Sequence, residues 1–524
     1  MVIGSPLIGN TPYVFVCNVD GYALDTLIIP TETLADNFTT GENNSVFIDD
    51  SLNIIFSGQM KFVDGTSPNA IIFKINRNGD TLWTKEFKDS INFSALASCK
   101  LTKDKNYIFC GFKDFDLISQ AWLIKMDPDG NILWENTYGG FDGEFAYSVD
   151  TTADGGYIMA GFTTSHPGRD RDIYVVKTDS EGNLEWEKSF GGEGHELGRV
   201  LALENGHALV YGNYKFIDPD WDLSRASHGY AMEIDENGNK IWDNYYTNID
   251  TNSTLFYVLD EVFNDVVLVE DGYVFCGAST DTAVGDPIGW AMKTDFSGNV
   301  LWNRLFKIRE NDHYLWDMEV LPGGDLLFGG FVFGDSDTNS QDGWVIRTNC
   351  LGFEGPPIKS VAISTDSINN SVTLTNASQR FGDGEINWGD GSNTTFTEHD
   401  DTVFTHTYTS NGTKEITFTI NACYHHKSET FTTQITNIPA PLANFKLYPN
   451  PNNGQIPISY NPGGETLSAN ILIHDLAGRL IFNATIPEYF RDVTLNLEDL
   501  STGVYLLQFK ADNGFEVVEK IVVL

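Results

Sequence analysis

The sequence predicts an all-β protein: a six- or seven-bladed β-propeller over residues 1–355, followed by two small β-sandwiches over 356–438 and 439–524. Three observations predict it. The phrase Lys-x-Asp-x-x-Gly-Asn-x-x-Trp, complete in Lys177 to Trp186, recurs with variations; aligning its glycine gives Gly21, Gly79, Gly130, Gly182, Gly238, Gly298 and Gly352, 51 to 60 residues apart. Glycine (49 residues) and aromatic side chains (13%) are abundant while charged residues make up only 20%, the balance of short strands and tight turns rather than long solvated helices. The repeat ends at the Gly/Pro cluster "CLGFEGPPIKS", beyond which period-two alternation returns in two further blocks.

Each repeat supplies about four strands. An apolar strand such as "NAIIFKI" or "DIYVVK" runs into the turn, and between turns lies a second hairpin, clearest in "YSVDTTADGGYIMAGFT". Four short strands every ~50 residues make a propeller blade. In the turn, Gly182 takes the left-handed position, while Asp179 and Asn183 can bond the turn's backbone amides. Trp186 then lies on the outgoing strand, where its large face can wedge between neighbouring blades. The same roles fall to Gly79 with Trp83, Gly130 with Trp134, Gly238 with Trp242 and Gly298 with Trp302. Six copies of the inner hairpin complete six blades, with "YALDTLII" latching onto the strands that end near Asn349. The preceding "PYVFVCNV" is then surplus, and would belong to a seventh blade if the natural chain begins upstream.

A net charge of −41 and a pI near 4.3 make the surface repel phosphate backbones and anionic headgroups, so nucleic acid is not an expected partner. No run of ~18 apolar residues predicts a membrane-spanning helix. The N-terminus shows no basic segment followed by an apolar one, hence no secretory signal. Six scattered cysteines form no CxxC pair. If "SCKLTKDKNYIFC" turns at Asp104-Lys105, Cys99 stands opposite Cys110, giving either a cross-strand disulfide or two buried thiols.

The repeats resemble the tryptophan-containing repeats of quinoprotein-like propellers, and more closely the "DGGYI-AG" repeats of propellers secreted by Bacteroidetes, across roughly residues 10 to 352. Ligands for a quinone cofactor are not identifiable, and the D-x-x-G-x-x-x-W spacing differs from the sialidase Asp box. Trp388-Gly389-Asp390-Gly391 and the segment from His406 to Ile420 resemble a PKD domain, an immunoglobulin-like module used as a spacer or contact unit; Asp390 reads as a turn residue. The final block resembles a type A C-terminal sorting domain of the type IX secretion system. It matches at Tyr448-Pro449-Asn450-Pro451, at Gly454, at Asp475 with Gly478, in "LSTGVY" with Gly503 and Tyr505, and in the terminal Lys520 to Val523. That resemblance implies export across both membranes, cleavage of the domain, release or surface attachment, and the type IX machinery as a partner. It also implies an N-terminal signal peptide, so the sequence is expected to start downstream of its natural beginning.

No GxSxG, HExxH, P-loop or Rossmann motif is present. His195-Glu196 lacks a second histidine at zincin spacing, His425 and His426 point to opposite faces of a strand, and Asp127 and Asp129 lack the remaining ligands of a calcium loop. No cofactor is identifiable; Ca²⁺ at the acidic turns is the one metal to consider. The expected function is a secreted or surface-attached binding or adhesion protein whose propeller takes a glycan or a surface protein, with Trp221 as a sugar-stacking candidate and Trp344 as a second candidate or an ordinary packing residue. The alternative is an extracellular glycosidase or polysaccharide lyase with the same delivery modules.

Overall fold

The computed structural model describes residues 2–3, 13–17, 23–28, 37–40, 45–61, 68–88, 92–115, 118–165, 171–192, 194–215, 227–248, 261–280, 286–308, 312–333, 341–366, 368–400, 402–423, 425–436, 444–461, 468–486, 492–497, 499–512 and 515–524. Among them every regular element is a strand. Residues 1–358, with 379–383 and 420–427, form one compact unit; 359–378, 384–419 and 428–524 form another.

In the first unit the recurring turn chemistry folds the chain into successive antiparallel meanders. Four-stranded sheets cover Ser94–Tyr138, Glu144–Phe190, Leu197–Tyr246 and Val262–Phe306, preceded by a five-stranded sheet over Asn37–Glu86. Three-stranded sheets, Val2–Ile28 and His313–Thr348, stand at either end of the series. Ala23–Ile28 pairs with Tyr13–Cys17, and the latch to the strands ending near Asn349 is not among the pairings of the described residues. The first strand of each sheet packs on the sheet before it, so the second and third strands are covered on both faces. Tyr157–Thr163 and Asp172–Thr178 are accordingly buried almost throughout, whereas the fourth strand, Leu184–Phe190, mixes exposed with half-buried residues. Lys100, on the first strand of its sheet, lies within electrostatic reach of Asp265 and Asp317, which sit three and four sheets further on. First strands therefore converge on a common axis, which is the arrangement of a propeller.

The turns explain the repeated phrase. Asp179 Oδ1 accepts the amides of Glu181 (3.0 Å) and Asn183 (2.8 Å), and the Asn183 side chain braces Asp179 Oδ2 (2.8 Å) rather than bonding backbone. Gly182 has φ +77°, and a Cβ there would come within 2.7 Å of the Trp134 ring. The glycine thus serves both the left-handed turn and the seat of the preceding sheet's tryptophan.

The Cys99–Cys110 pairing does not form. Both are buried free thiols, as is Cys276. The turn spans Thr102 to Asn106, centred on Asp104 rather than between Asp104 and Lys105, with Lys105 at φ +66°; the pairing is thereby offset by one residue, so Cys99 faces Phe109 and Cys110 faces Ser98. A one-residue slip sends the two thiols to opposite faces of the sheet, into separate cores. The disulfide joins Cys350 to Cys423, which lies in the short stretch 420–427 of the same unit.

In the second unit, Val361–Asp366, Ser371–Asn376 and Val403–Thr407 form a three-stranded sheet. A four-stranded sheet orders Asn393–Thr397, Asp383–Asn387, Gly412–Ala422 and His425–Ile435, its ends at 383, 420–422 and 425–427 counting with the first unit. The C-terminal block pairs Asn444–Leu447, Gln455–Asn461 and Asp492–Asn496 in one sheet. Leu480–Ile486, Ala469–Asp475, Gly503–Ala511 and Glu516–Val523 make the other, around a core that includes Ile471, Leu507, Phe509 and Ile521.

Candidate functional site

The two ends of each propeller sheet differ. One end carries the inner-hairpin turns and the tryptophan turns, and its groups bond across to the next sheet. Trp83 Nε1 donates to Pro128 O (3.1 Å), Trp186 Nε1 to Glu236 O (3.0 Å) and Trp302 Nε1 to Cys350 O (3.2 Å). Trp242 instead donates within its own sheet to Glu233 (2.8 Å), while Tyr246 Oη bonds Gly298 O (2.9 Å). Trp134 packs against Gly182 as Trp83 does against Gly130 and Trp186 against Gly238. Third-strand cations meet inner-turn carboxylates: Lys74 with Asp49 (3.0 Å), Lys125 with Asp104 (2.7 Å), Lys177 with Asp154 (2.6 Å), Lys293 with Asp271 (2.7 Å) and Arg347 with Asp325 (2.8 Å). In the remaining sheet the pair is reversed, Glu233 meeting His207 at 2.7 Å.

The other end carries the loops between sheets and those between second and third strands, and these bond to each other. Asp142 N donates to Ser165 Oγ (3.0 Å) and Gly143 N to Thr164 Oγ1 (2.9 Å). The loop is organised from below by Glu144, fully buried, which accepts from Gly140 N (2.9 Å), Thr163 Oγ1 (2.8 Å) and Ser165 Oγ. Phe141, at the tip of this braced loop, is 97% exposed. A buried glutamate stands at the same place in the next two sheets, Glu196 and Glu261, the latter accepting from Asn248 N (2.8 Å) and Ser279 Oγ (2.9 Å).

Just inside this end the first strands are bulged. The register slips at Ala97, Tyr147, Asn264 and Trp316, each an extra residue facing a glycine-bearing second strand. Gly161 shows why that strand needs glycine: a Cβ there would lie 1.7 Å from Phe145 O. Half-buried rings gather at the bulges. On one side Phe112 packs on Phe145 (4.5 Å) and Phe145 and Tyr147 on Phe162, under the Arg171 guanidinium (4.5 Å). Three sheets further on, Tyr314 and Trp316 pack on Phe331 (5.0 and 5.5 Å).

Deeper on the axis lie the bulge residue Asn264 and the residues that follow the bulges. Ser148 Oγ bonds Val200 O (3.1 Å), Asn264 Nδ2 donates to Leu315 O (2.9 Å) and Asp265 Oδ2 accepts Met318 N (3.0 Å), tying first strands together. Asp265 and Asp317 lie within hydrogen-bonding reach of each other. Burial pushes both carboxyls up, and the charge of Asp265 adds to the rise at Asp317. Glu319, although solvent-accessible, is raised by partial desolvation and by the charge of Asp265. Lys100, 3.5 Å from Asp150, would lose its proton more easily on burial alone, but Asp150, Asp265 and Asp317 outweigh that and raise it. Chemically the axis holds two neighbouring acids that ionise reluctantly, a lysine charge and, above them, two groups of aromatic rings.

Elsewhere, a cavity of about 600 Å³ is lined by Asp325, Arg347, Asn349 and His425, whose Nε2 lies 3.0 Å from Asp325 Oδ1. Among the described residues no group of three or more His, Cys, Asp or Glu side chains is arranged for a metal ion, and no helix is long and apolar enough to cross a membrane. Asp127, like Asp179, spends its carboxylate on its own turn, accepting Asp129 N (3.0 Å), Asn131 N (2.8 Å) and Asn131 Nδ2 (2.9 Å). Trp221 lies outside the described residues. Trp344 is buried, donating to Tyr314 O (3.0 Å). Trp388 is a core residue, its Nε1 on Thr394 Oγ1 (2.9 Å); Asp390 pairs with His406 (2.7 Å), and Gly389 and Gly391 turn at φ +75° and +94°. His195 is exposed beside buried Glu196. Tyr505 Oη bonds Ser501 O (2.8 Å) at the end of the core, and Gly478 turns at φ +83° behind Asp475. Tyr147, Trp316, Phe141, the acid pair and the Cys350–Cys423 bond were not singled out from sequence. The signal for the bulges was available in the second-strand glycine of "IMAGF", "IFCGF" and "VFCGA".

Residues 446–524 match the family described as Secretion system C-terminal sorting domain. No curated protein matches the chain significantly. Among solved structures the chain is similar to puromycin hydrolase (13% identity, TM-score 0.37, covering 62% of this chain and 47% of that one). It is also similar to the β-propeller domain of the Trilobed protease from Pyrococcus furiosus (8%, 0.34, 65% and 91%) and to β-1,2-mannobiose phosphorylase from Listeria innocua (10%, 0.32, 61% and 94%). The chain spans about half the length of puromycin hydrolase. Its successive antiparallel meanders make it an all-β, propeller-like protein, and its residues 446–524 form a sorting domain of the type IX kind. That domain marks it as a secreted protein.

Proposed function

We propose that the protein is a secreted or surface-attached binding protein, its propeller holding a glycan or a surface protein at the loop-bearing end, with residues 356–438 as a PKD-like spacer. The observation that carries this reading is the pair of half-buried aromatic groups at the bulges, Phe145 with Tyr147 and Tyr314 with Trp316, near the braced and exposed Phe141. Aromatic faces offer flat, amphipathic contact to sugar rings and apolar side chains alike. A net charge of −41 selects against polyanionic ligands. The spacer reading draws support from two facing sheets and a buried Trp388.

The test is a glycan-array and polysaccharide pull-down with the full chain, comparing wild type with Phe141→Ala, Tyr147→Ala, Trp316→Ala and Trp221→Ala, and analysing every bound sugar for products. Binding without product, weakened at least tenfold by Tyr147→Ala or Trp316→Ala, supports the reading. Binding indifferent to all four changes overturns the site, and absence of any sugar ligand moves the assignment to a protein partner. A second reading, an extracellular carbohydrate-active enzyme, is favoured by one observation, the neighbouring acids Asp265 and Asp317 on the axis. Paired glycosidase carboxyls stand ~5 to 9.5 Å apart to flank the bond they cleave. Two acids within hydrogen-bonding reach are too close for that, so this reading needs Asp150 or Glu319 as the second group. Product that disappears in Asp317→Asn would establish it.

A further inference from the structure

The sorting domain brings together two stretches of chain about seventy residues apart. Glu516–Val523 is the edge strand of its sheet, paired on one side only, with Gly503–Ala511. On its open side the backbone of Lys520 to Leu524 is met by residues 450–452. Asn450 Nδ2 donates to Lys520 O (2.6 Å) while Asn450 Oδ1 accepts Val522 N (2.8 Å), so one side-chain amide supplies the donor and acceptor that a neighbouring strand's peptide would supply. The backbone continues the contact: Asn452 N donates to Val522 O (2.9 Å) and Leu524 N to Asn452 O (2.9 Å), a parallel bridge between Asn452 and Val523. Asn452 is itself buried, its Oδ1 accepting Gly454 N (3.0 Å). Core packing accounts for Ile521 and Val523, which are buried. It does not account for Asn450, an exposed polar side chain spent entirely on the chain terminus, nor for Tyr448, which is 68% exposed.

We propose that Asn450 acts as a strand surrogate that fastens the C-terminal strand, and that the secretion machinery reads the fastened strand together with the exposed surface at Tyr448 rather than a free linear tail. Unclasped, the last residues would present an unpaired strand edge, the feature that natural sheets cover or blunt. This inference rests on residues 446–524 acting as the sorting domain, which the experiment tests separately.

The full chain is expressed in a host with a working type IX system as wild type, Asn450→Ala, Asn450→Asp and a deletion of 446–524. Hydrogen exchange of the 516–524 peptide and the exported fraction are both measured. Loss of the clasp should speed exchange of that peptide roughly three- to tenfold in Asn450→Ala, as expected for one or two net hydrogen bonds, and lower export, with the 469–475 peptide still protected. Asn450→Asp keeps the acceptor for Val522 N and should fall between the two. Unchanged exchange in Asn450→Ala overturns the clasp, and faster exchange with wild-type export overturns its role in sorting. Export of the deletion at the wild-type level removes the sorting reading itself.

Discussion

Replacing Gly182 by alanine separates the two reasons for glycine in the repeated turn. Its φ of +77° costs an L-residue about 1 kcal/mol. The new Cβ would also lie 2.7 Å from both the Trp134 ring and Asn136 Nδ2, an overpacking worth about 1–3 kcal/mol. The sum, about 2–4 kcal/mol, should appear as a lowered denaturant midpoint followed by far-UV circular dichroism. Gly155 supplies the internal control: φ +91° with open space around the missing Cβ, hence about 1 kcal/mol for Gly155→Ala. In a Trp134→Ala background the ring's share of the steric cost of Gly182→Ala vanishes while the Asn136 contact remains, so a double-mutant cycle should show a coupling of up to about 1–3 kcal/mol. The reasoning is refuted if Gly182→Ala costs the same with and without Trp134, or no more than Gly155→Ala.

Four further outcomes are expected. Burial raises the Asp49 carboxyl, but bonds from Asn53, Tyr107 and Lys74 overcome this and bring it down to about 2 from an ordinary 3.8. A depressed carboxylate stabilises the fold fully above its unfolded value and loses that contribution as pH falls through the folded one. Asp49→Asn should therefore be about 2 kcal/mol less stable than wild type at pH 7, with the two denaturation curves converging between pH 4 and 2. Cys350→Ser removes a cross-link over 73 residues, costing up to about 4 kcal/mol, and dithiothreitol should lower the melting temperature of wild type but not of the variant. EDTA should leave the melting temperature unchanged, because the oxygens of Asp127 and Asp179 already serve their own turns; a fall would reveal calcium. Finally, His207→Asp with Glu233→Lys rebuilds the neighbours' polarity, so the double variant should recover about 1 kcal/mol relative to the sum of the singles; additive costs would deny that the pair matters.

The legible part of the fold was the part written in local chemistry. The spacing of Gly182 and Trp186 and of their counterparts identifies turn, outgoing strand and repeat, because each requirement is met within a few residues of itself. The Cys99–Cys110 expectation failed for a related reason: Lys105 accepts the left-handed position that glycine holds elsewhere, and one residue in a turn reverses every side chain beyond it. The axis was illegible because its members are remote in sequence. Asp265 and Asp317 lie on different sheets, and Lys100 reaches them only when the meanders converge. Cys350 and Cys423 are likewise joined by folding rather than by any local pattern. In the C-terminal domain the resemblance marked Asn450 and Lys520 separately, but only the fold shows that one bonds the other.

These placements divide the propeller into an end that is committed and an end that is free to vary. At the turn-bearing end, tryptophan indoles, third-strand cations and turn carboxylates bond the next turn or one another, so a substitution there is felt first as lost stability. At the loop-bearing end, the proposed binding surface and its support are different residues. Glu144 is buried and carries the loop, while Phe141 projects from it without being needed to hold it. Tyr147 and Trp316 are the extra residues at the bulges, where the strand register already shifts, so their side chains can change without disturbing it. A rigid frame that leaves such positions uncommitted is where recognition can be altered at least cost to folding. Stability and ligand choice should therefore separate by end: Trp186→Ala should chiefly lower stability, and Trp316→Ala should chiefly change what is bound.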